Sequence, residues 1–323
     1  MNSDSESSED SHRVRLTAVI GADGFVGNGL ASALQAKRIV YGPTRAGETH
    51  IGQAEELLTQ ADVVINCGGF RVRPGCTYAD YQRSHEGSTS VFVPWIRKDA
   101  LFLHISSASV LGKGQGLGNH TPANPATFPS PAYASAKFEQ DRYLERASAK
   151  HGFRLIFLRP AVVYSQQGAG MVDTLLNLAG RGIALRLYPR EARHHLVHMS
   201  LLADVARRII ECNNVPNLSS FVVADPYTIT NRELEAMIFA AVKMKKAPLP
   251  IPLPVHWMSA LLQHTFHSKN PKLDLKTWSE ILGVLAMDTV YDPEETFQLL
   301  GIDPSQYTPE KTLWPLIAEA LHK

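Results

Sequence analysis

Tyr133-Ala134-Ser135-Ala136-Lys137 places a phenol and an ammonium four residues apart, so on a helix the two side chains share one face. A free tyrosine has a pKa of about 10 and is a poor base near neutral pH unless a positive charge stabilises the phenolate. Lys137 can supply that charge, which makes the pair a candidate for moving a proton on and off an alcohol or carbonyl oxygen. An ordinary exposed Tyr/Lys pair has the same spacing, so the chemistry depends on what lies upstream.

Upstream, Val14 to Ile20 alternates, runs apolar, and breaks into Gly21-Ala22-Asp23-Gly24-Phe25-Val26-Gly27, after which Leu30, Ala33 and Leu34 recur at helical spacing. This is a strand, a glycine turn and a helix. Through such a turn the backbone of Gly21, Gly24, Phe25, Val26 and Gly27 can approach a pyrophosphate at the helix N-terminus. The spacing is GxxGxxG rather than the commoner GxGxxG, and its setting points to a dinucleotide.

A second strand, Arg38 to Tyr41, ends in Gly42-Pro43-Thr44-Arg45. A carboxylate at this tip would accept from an adenosine ribose 2′-hydroxyl and repel a 2′-phosphate. Thr44 and Arg45 stand there instead, with no acid until Glu48, so NADP is preferred over NAD. Asp62 to Asn66 reads as a third buried strand, and the small residues Cys67, Gly68 and Gly69 that follow let a cofactor approach the backbone. Leu101 to Ile105 runs into Ser106-Ser107-Ala108-Ser109, a helix carrying Tyr133 continues to about Lys150, and Phe153 to Leu158 is a fifth strand. Strands alternating with helices make an α/β protein with a doubly wound parallel sheet.

Past Tyr164 the pattern loosens. Met171 to Ala179 and Leu201 to Cys212 read as helices, Leu196 to Met199 and Phe221 to Ala224 as strands, and Thr230 with Glu233 as a capping box. Glu233 to Lys323 reads as mostly helical. His194, His195 and His198 invite a metal reading, but on a strand 194 and 198 face one side and 195 the other, and only Glu191 is near. No metal site is expected.

The chain has 323 residues, enough for a sizeable core, and its 32 Lys and Arg against 31 Asp and Glu give no pull toward nucleic acid. Three cysteines, Cys67, Cys76 and Cys212, form no CxxC and suit a reducing compartment, so a cytoplasmic location is expected. Residues 1–12 read as a disordered acidic tail without the apolar run of a signal peptide. The apolar stretch Ala247 to Leu262 carries Pro248, Pro250, Pro252 and Pro254 and is too broken for stable membrane insertion.

GADGFVG, ADVVINCGG, ISSASVLG, YASAK and RPAVVYS, in this order, resemble the extended short-chain dehydrogenase/reductase family. The resemblance covers nearly all of residues 14–323. It implies a Rossmann NAD(P)-binding domain over 13–164, with 196–228 returning to it, and a smaller, mostly helical substrate lobe from 165–195 and 229–323. Carried over, the family's catalytic set falls on Ser107, Tyr133 and Lys137. The resemblance gives Tyr133 the proton, Ser107 a hydrogen bond to the developing oxyanion, and Lys137 the nicotinamide ribose. Pro160 and Val163 join the cofactor contacts. Ser84, in Ser84-His85-Glu86-Gly87-Ser88, takes the place of the family's Asn, and His194, with Arg193 beside it, takes that of an arginine that grips a substrate diphosphate.

Ala108 and Ser109 follow Ser107 where dehydratases of the family have an Asp-Glu pair, so elimination of water is not expected. Leu275 to Pro304 resembles the C-terminal block of bacterial nucleotide-sugar 4-epimerases and 4-ketoreductases, which makes a nucleotide sugar the expected small-molecule substrate. A homodimer through the Tyr133 helix is what the family implies. Two other readings stand beside this one. The apolar Leu249 to Leu262 stretch suits a reductase or dehydrogenase of a hydrophobic, sterol- or flavonoid-like alcohol or ketone, and a non-catalytic NADP-binding sensor would keep the fold without needing Ser107, Tyr133 and Lys137.

Overall fold

The computed structural model describes residues 15–40, 51–72, 76–128, 130–165, 171–180, 185–186, 189–212, 214–241, 249–250 and 286–319. The acidic tail, the Thr44-Arg45 tip and all but two residues of the apolar 247–262 stretch lie outside them.

The first half of the chain alternates as expected: β1 (Thr17–Ile20), α1 (Phe25–Ala33), β2 (Lys37–Ile39), α2 (Ile51–Gln60) and β3 (Val63–Asn66). Then come α3 (Tyr78–Gln82), a π-helical turn (Arg83–Gly87), α4 (Ser88–Phe92), β4 (Leu101–Ile105), β5 (Gly114–Leu117), α5 (Pro131–His151), β6 (Arg154–Pro160) and β7 (Val162–Tyr164). The second half holds α6 (Met171–Gly180), β8 (Leu185–Arg186), β9 (Arg193–His198), α7 (Met199–Glu211), β10 (Ser220–Val223), β11 (Thr228–Thr230), α8 (Asn231–Ala241), β12 (Leu249–Pro250) and β13 (Thr289–Tyr291).

Six strands form one parallel sheet in the order β10-β6-β4-β3-β1-β2. The pleat sends alternate residues to opposite faces. Val19, Val63, Ile65, Leu101 and Leu103 face α1 and α7, while Ala18, Ile20, Val64, Phe102 and Leu155 face α2, α4 and α5. A parallel sheet covered on both faces needs such unbroken apolar strands, which is why these segments stand out in the sequence. The direction of strand order reverses between β1 and β3, and ligands of open α/β sheets bind outside the carboxyl ends of strands at such a point.

α5 positions the Tyr133–Lys137 pair. Pro131 opens it, where the missing N–H costs nothing, and Gly152 closes it in the left-handed region (φ 83°), its N–H bonding Ser148 O. The buried face carries Lys137, Gln140 and Asp141 toward the N-terminal end and Leu144 and Ala147 farther along. Polar chemistry and apolar anchoring thus share one helix.

A second sheet runs β11-β9-β13-β5, with β7 paired to β9. β9 starts at Arg193, earlier than the sequence suggests, because β11 pairs with its first residues. β13 lies in a segment that reads as helical, and it becomes a strand by pairing with β5 and β9. The Thr230 capping box is present: Thr230 Oγ1 accepts from Glu233 N (3.1 Å) and Glu233 Oε2 accepts from Thr230 N (2.8 Å). Leu234 and Ile238 of α8 pack with Tyr164, Leu196 and the helix Leu313–Glu319 in a separate apolar cluster.

Phe102 is wholly buried against Phe153, with ring centroids 5.3 Å apart. Phe102→Ala is expected to cost about 3–5 kcal/mol of unfolding free energy, measured by urea denaturation, because neighbouring strands cannot collapse into the void.

Candidate active site

The glycine turn after β1 is packed to its limit. Gly21 takes φ 75°, its N–H bonds Ile39 O (2.9 Å), and a Cβ at Gly27 would lie 2.1 Å from Gly21 O. No side chain caps the N-terminus of α1 at Gly24, and its first turn has no acid, so the N–H groups of Phe25 and Val26 face a position suited to an anion. Arg38 braces the turn, donating to Ala22 O (3.2 Å), Asn28 Oδ1 (2.7 Å) and Ser32 Oγ (2.7 Å). The sequence reading missed this cation, which a strand residue beside a glycine turn could have signalled.

Across the switch point, Cys67, Gly68 and Gly69 leave β3. A Cβ at Gly21 would meet Cys67 and Gly68 backbone at 3.1 Å, so the two loops are in contact. Asn66 Oδ1 holds Gly68 N (3.0 Å), and Ser84 Oγ holds Phe70 N (2.8 Å). Burial pushes the Cys67 thiol up to about 12, against the pull of Lys137, so it stays protonated and unreactive. The turn, the uncapped helix and the small-residue loop fit a dinucleotide.

At the end of β4 the structure brings Ser107 to Tyr133. Ser107 Oγ accepts from Ser109 N (3.2 Å) and Ser109 Oγ (2.8 Å), and its hydroxyl is hydrogen-bonded to Tyr133. Ser109, noted in the sequence only for what it is not, thus holds the Ser107 hydroxyl. Two further residues missing from the sequence reading flank the phenol: the Tyr81 and His85 rings meet Tyr133 edge-on at centroid distances of 5.6 and 5.7 Å.

Lys137 is buried and donates to Ile105 O (3.2 Å) and Gln140 Oε1 (3.2 Å). Gln140 in turn donates to Thr89 Oγ1 (2.7 Å) and His85 O (3.0 Å). Burial lowers the ammonium to about 8, opposed by Asp141 and Cys67. Asp141, one turn further on, is pushed up to about 6 by burial, opposed by Arg159 and by the Ser106 hydroxyl at 2.9 Å. The sequence reading has Lys137 pull the phenol down. Instead, burial pushes Tyr133 up to about 12, with Ser107 opposing, because desolvation of a phenolate outweighs its one hydroxyl donor. In the protein alone Tyr133 is a proton donor.

Pro160 ends β6 and is buried, and Val163 lies in β7, half-buried. His194 is committed to packing: Nδ1 meets Thr289 Oγ1 (3.0 Å) and Nε2 meets Asn231 Oδ1 (3.1 Å), so neither nitrogen is left for a substrate diphosphate. Arg193 is exposed, and its backbone N–H donates to Asp288 Oδ1 (2.8 Å). Among the described residues no cluster of His, Cys, Asp and Glu could hold a metal, and no helix is long and apolar enough to cross a membrane.

A phosphate-ready turn at the switch point and a Ser, Tyr and Lys brought together at the next strand define an NAD(P)-dependent enzyme of the short-chain dehydrogenase/reductase type. The profile of the NAD dependent epimerase/dehydratase family matches residues 17–223, and the chain belongs to that family. Among solved structures, UDP-glucose 4-epimerase from Thermotoga maritima, in complex with UDP-glucose, superposes with a TM-score of 0.66 at 16% identity, covering 95% of this chain and 98% of the other. A human epimerase family protein with NADPH gives 0.67 at 16% identity, covering 95% and 99%. At such identities the likeness is one of fold. A curated relative, a hybrid PKS-NRPS synthetase of Thermothelomyces thermophilus, is 28% identical over 167 residues, which are 45% of this chain and 4% of that protein.

Gly27→Ala is expected to abolish dinucleotide binding in fluorescence titration and to lower the melting temperature, since the new methyl meets backbone that cannot move aside. The second expectation concerns Lys137, whose folded pKa lies below its unfolded value of 10.5. The unfolded chain binds more protons between about 8 and about 10.5, so this group's contribution to stability rises with pH across that window. Relative to Lys137→Met, the wild type is therefore expected to gain stability in urea denaturation between pH 8 and pH 10.

Proposed function

We propose that the protein interconverts a carbinol and a carbonyl on a nucleotide sugar, as a 4-ketoreductase or 4-epimerase. The observation that carries this reading is the Tyr133 phenol, hydrogen-bonded to Ser107, whose hydroxyl is itself held by Ser109. The nicotinamide dinucleotide, when bound, supplies or accepts the hydride. Tyr133 gives its proton to the oxygen that gains the electron pair, Ser107 donates a hydrogen bond to that oxygen, and Lys137 stabilises the phenolate left behind.

A phenol that stays protonated up to about 12 in the protein alone supports the reductive direction, where the first act is proton donation. NADP over NAD accords with it: β2 and Val40 after it carry no carboxylate, Arg38 lies against α1, and Thr44 and Arg45 follow in sequence. The sugar branch is supported by the neighbours named as UDP-sugar epimerases and by the sequence of Leu275 to Pro304. Residues 165–195 and 229–323 are taken as the substrate lobe, with the exposed Arg193 as the group for a diphosphate. A cytoplasmic homodimer packed through α5 completes this reading.

A second reading, a reductase of a hydrophobic alcohol or ketone, is favoured by the curated relatives, which are named as polyketide synthase–nonribosomal peptide synthetases and not as sugar enzymes. The assay separates the two. Purified protein is incubated with UDP-hexoses, UDP-4-keto sugars and hydrophobic ketones, each with NADPH or NADH, and turnover is expected with a UDP-4-keto sugar and NADPH. Tyr133→Phe is expected to lower kcat about 10²- to 10⁴-fold while dinucleotide affinity holds. Turnover confined to hydrophobic ketones selects the second reading, and absence of both turnover and UDP-sugar binding overturns the first.

A further inference from the structure

His104 stands on β4 with its ring wholly buried, edge-on to Phe157 at a centroid distance of 6.2 Å. Nε2 of this ring and Oδ1 of Asp141 are both buried without a hydrogen-bond partner among the described residues, and they lie 3.5 Å apart. The other carboxylate oxygen is engaged: Oδ2 accepts from Ser106 Oγ (2.9 Å) and lies 3.7 Å from the Arg159 guanidinium. Asp141 follows Lys137 by one helical turn, so carboxyl and ammonium share the buried face of α5.

A run of hydrogen bonds fixes which nitrogen of His104 carries the proton. Gly68 N can only donate, and it lies 3.0 Å from Asn66 Oδ1. That oxygen therefore accepts, and Asn66 Nδ2 is the group turned toward Thr89 Oγ1 (3.2 Å) and His104 Nδ1 (3.3 Å). The Thr89 hydroxyl gives its one proton to His85 O (2.7 Å), which leaves its lone pairs for Asn66 and for Gln140 Nε2 (2.7 Å). His104 Nδ1 is thus an acceptor. Burial first and the Lys137 charge second hold the ring neutral, so its single proton sits on Nε2, the nitrogen beside Asp141.

We propose that His104 is a positioning residue of the hydride-transfer site: its Nε2–H, oriented by Asn66, holds Asp141 as the anion that balances the ammonium of Lys137. The consequence for turnover rests on the hydride-transfer reading above, whereas the tautomer and its contact with Asp141 do not. A donor to a carboxylate favours the ionised form, and a nearby anion favours a charged lysine, so the imidazole acts on Lys137 through Asp141. The other charged and titratable groups that bear on this pair are Tyr133 and Glu145 on α5, Arg159 on β6, Cys67 after β3 and His85 in the π-helical turn.

The test uses full-length protein without cofactor, carrying ¹³C-labelled aspartate and lysine, and follows the Asp141 Cγ and Lys137 Cε resonances with pH. In His104→Phe, whose ring keeps the packing on Phe157, the Asp141 midpoint is expected to rise by about half a unit or more, and in His104→Gln, whose amide N–H replaces Nε2–H, to return to the wild-type value. In Asp141→Asn the Lys137 midpoint is expected to fall by about one unit. With the substrate found above, the alkaline loss of kcat in that variant is expected to move to lower pH by the same amount. An unchanged Asp141 midpoint in a folded His104→Phe, or an unchanged Lys137 midpoint in a folded Asp141→Asn, overturns the proposal. Should these variants fail to fold, ¹⁵N-histidine spectra of the wild type decide: a proton on Nε2 of His104 supports it, and a proton on Nδ1 overturns it. Shifted midpoints without turnover on any substrate support the contact of His104 with Asp141 and remove the functional reading alone.

Discussion

An ammonium held inside a protein with its charge intact is the constraint to which the rest of this structure answers. Lys137 lies on the buried face of α5, where water cannot solvate it, and the fold replaces that solvation with Ile105 O at the end of β4 and Gln140 Oε1 one turn along. Gln140 then ties α5 to α4 and the π-helical turn through Thr89 and His85 O. Asn66 reaches the same Thr89 (3.2 Å) and His104 (3.3 Å) while its Oδ1 fixes Gly68 N. The groups that keep one charge tolerable therefore also set the loop at the switch point and the helix bearing Tyr133.

The same burial assigns roles. A carboxylate on this face, Asp141, is drawn up toward neutrality by desolvation, and Ser106 and Arg159 hold it from rising further. Burial outweighs the hydrogen bond from Ser107, and Tyr133 remains a phenol. Proton donor, hydroxyl and cation are thereby set apart by environment around one strand end.

Much of the frame was legible because it is local or strictly periodic. Leu101–Ile105 is a central strand buried on both faces and shows itself as an unbroken apolar run, and Thr230 and Glu233 declare a helix start within four residues. Ser107, Tyr133 and Lys137 were named through the family resemblance, and the structure sets Ser107 against Tyr133 and Lys137 against the end of β4. What escaped was the part that exists only after distant segments meet. β5 and β13 have no pattern of their own and become strands by pairing with each other. His194 reads as a contact for a substrate diphosphate until Thr289 and Asn231, remote in sequence, close on its two nitrogens. Tyr81 and His85 gain their meaning from a ring on a later helix, and no periodicity announces a π-helical turn.

Gly69 and His85 share one volume. Because the imidazole occupies the space a methyl group at 69 would need, and because Gly69 takes φ 129°, the two positions are not free to vary in either order. A side chain at 69 becomes admissible only after the ring at 85 has been replaced by something smaller, and restoring the ring afterwards is blocked. The contact couples the two positions, so a side chain at 69 is accepted together with a smaller residue at 85 and not alone.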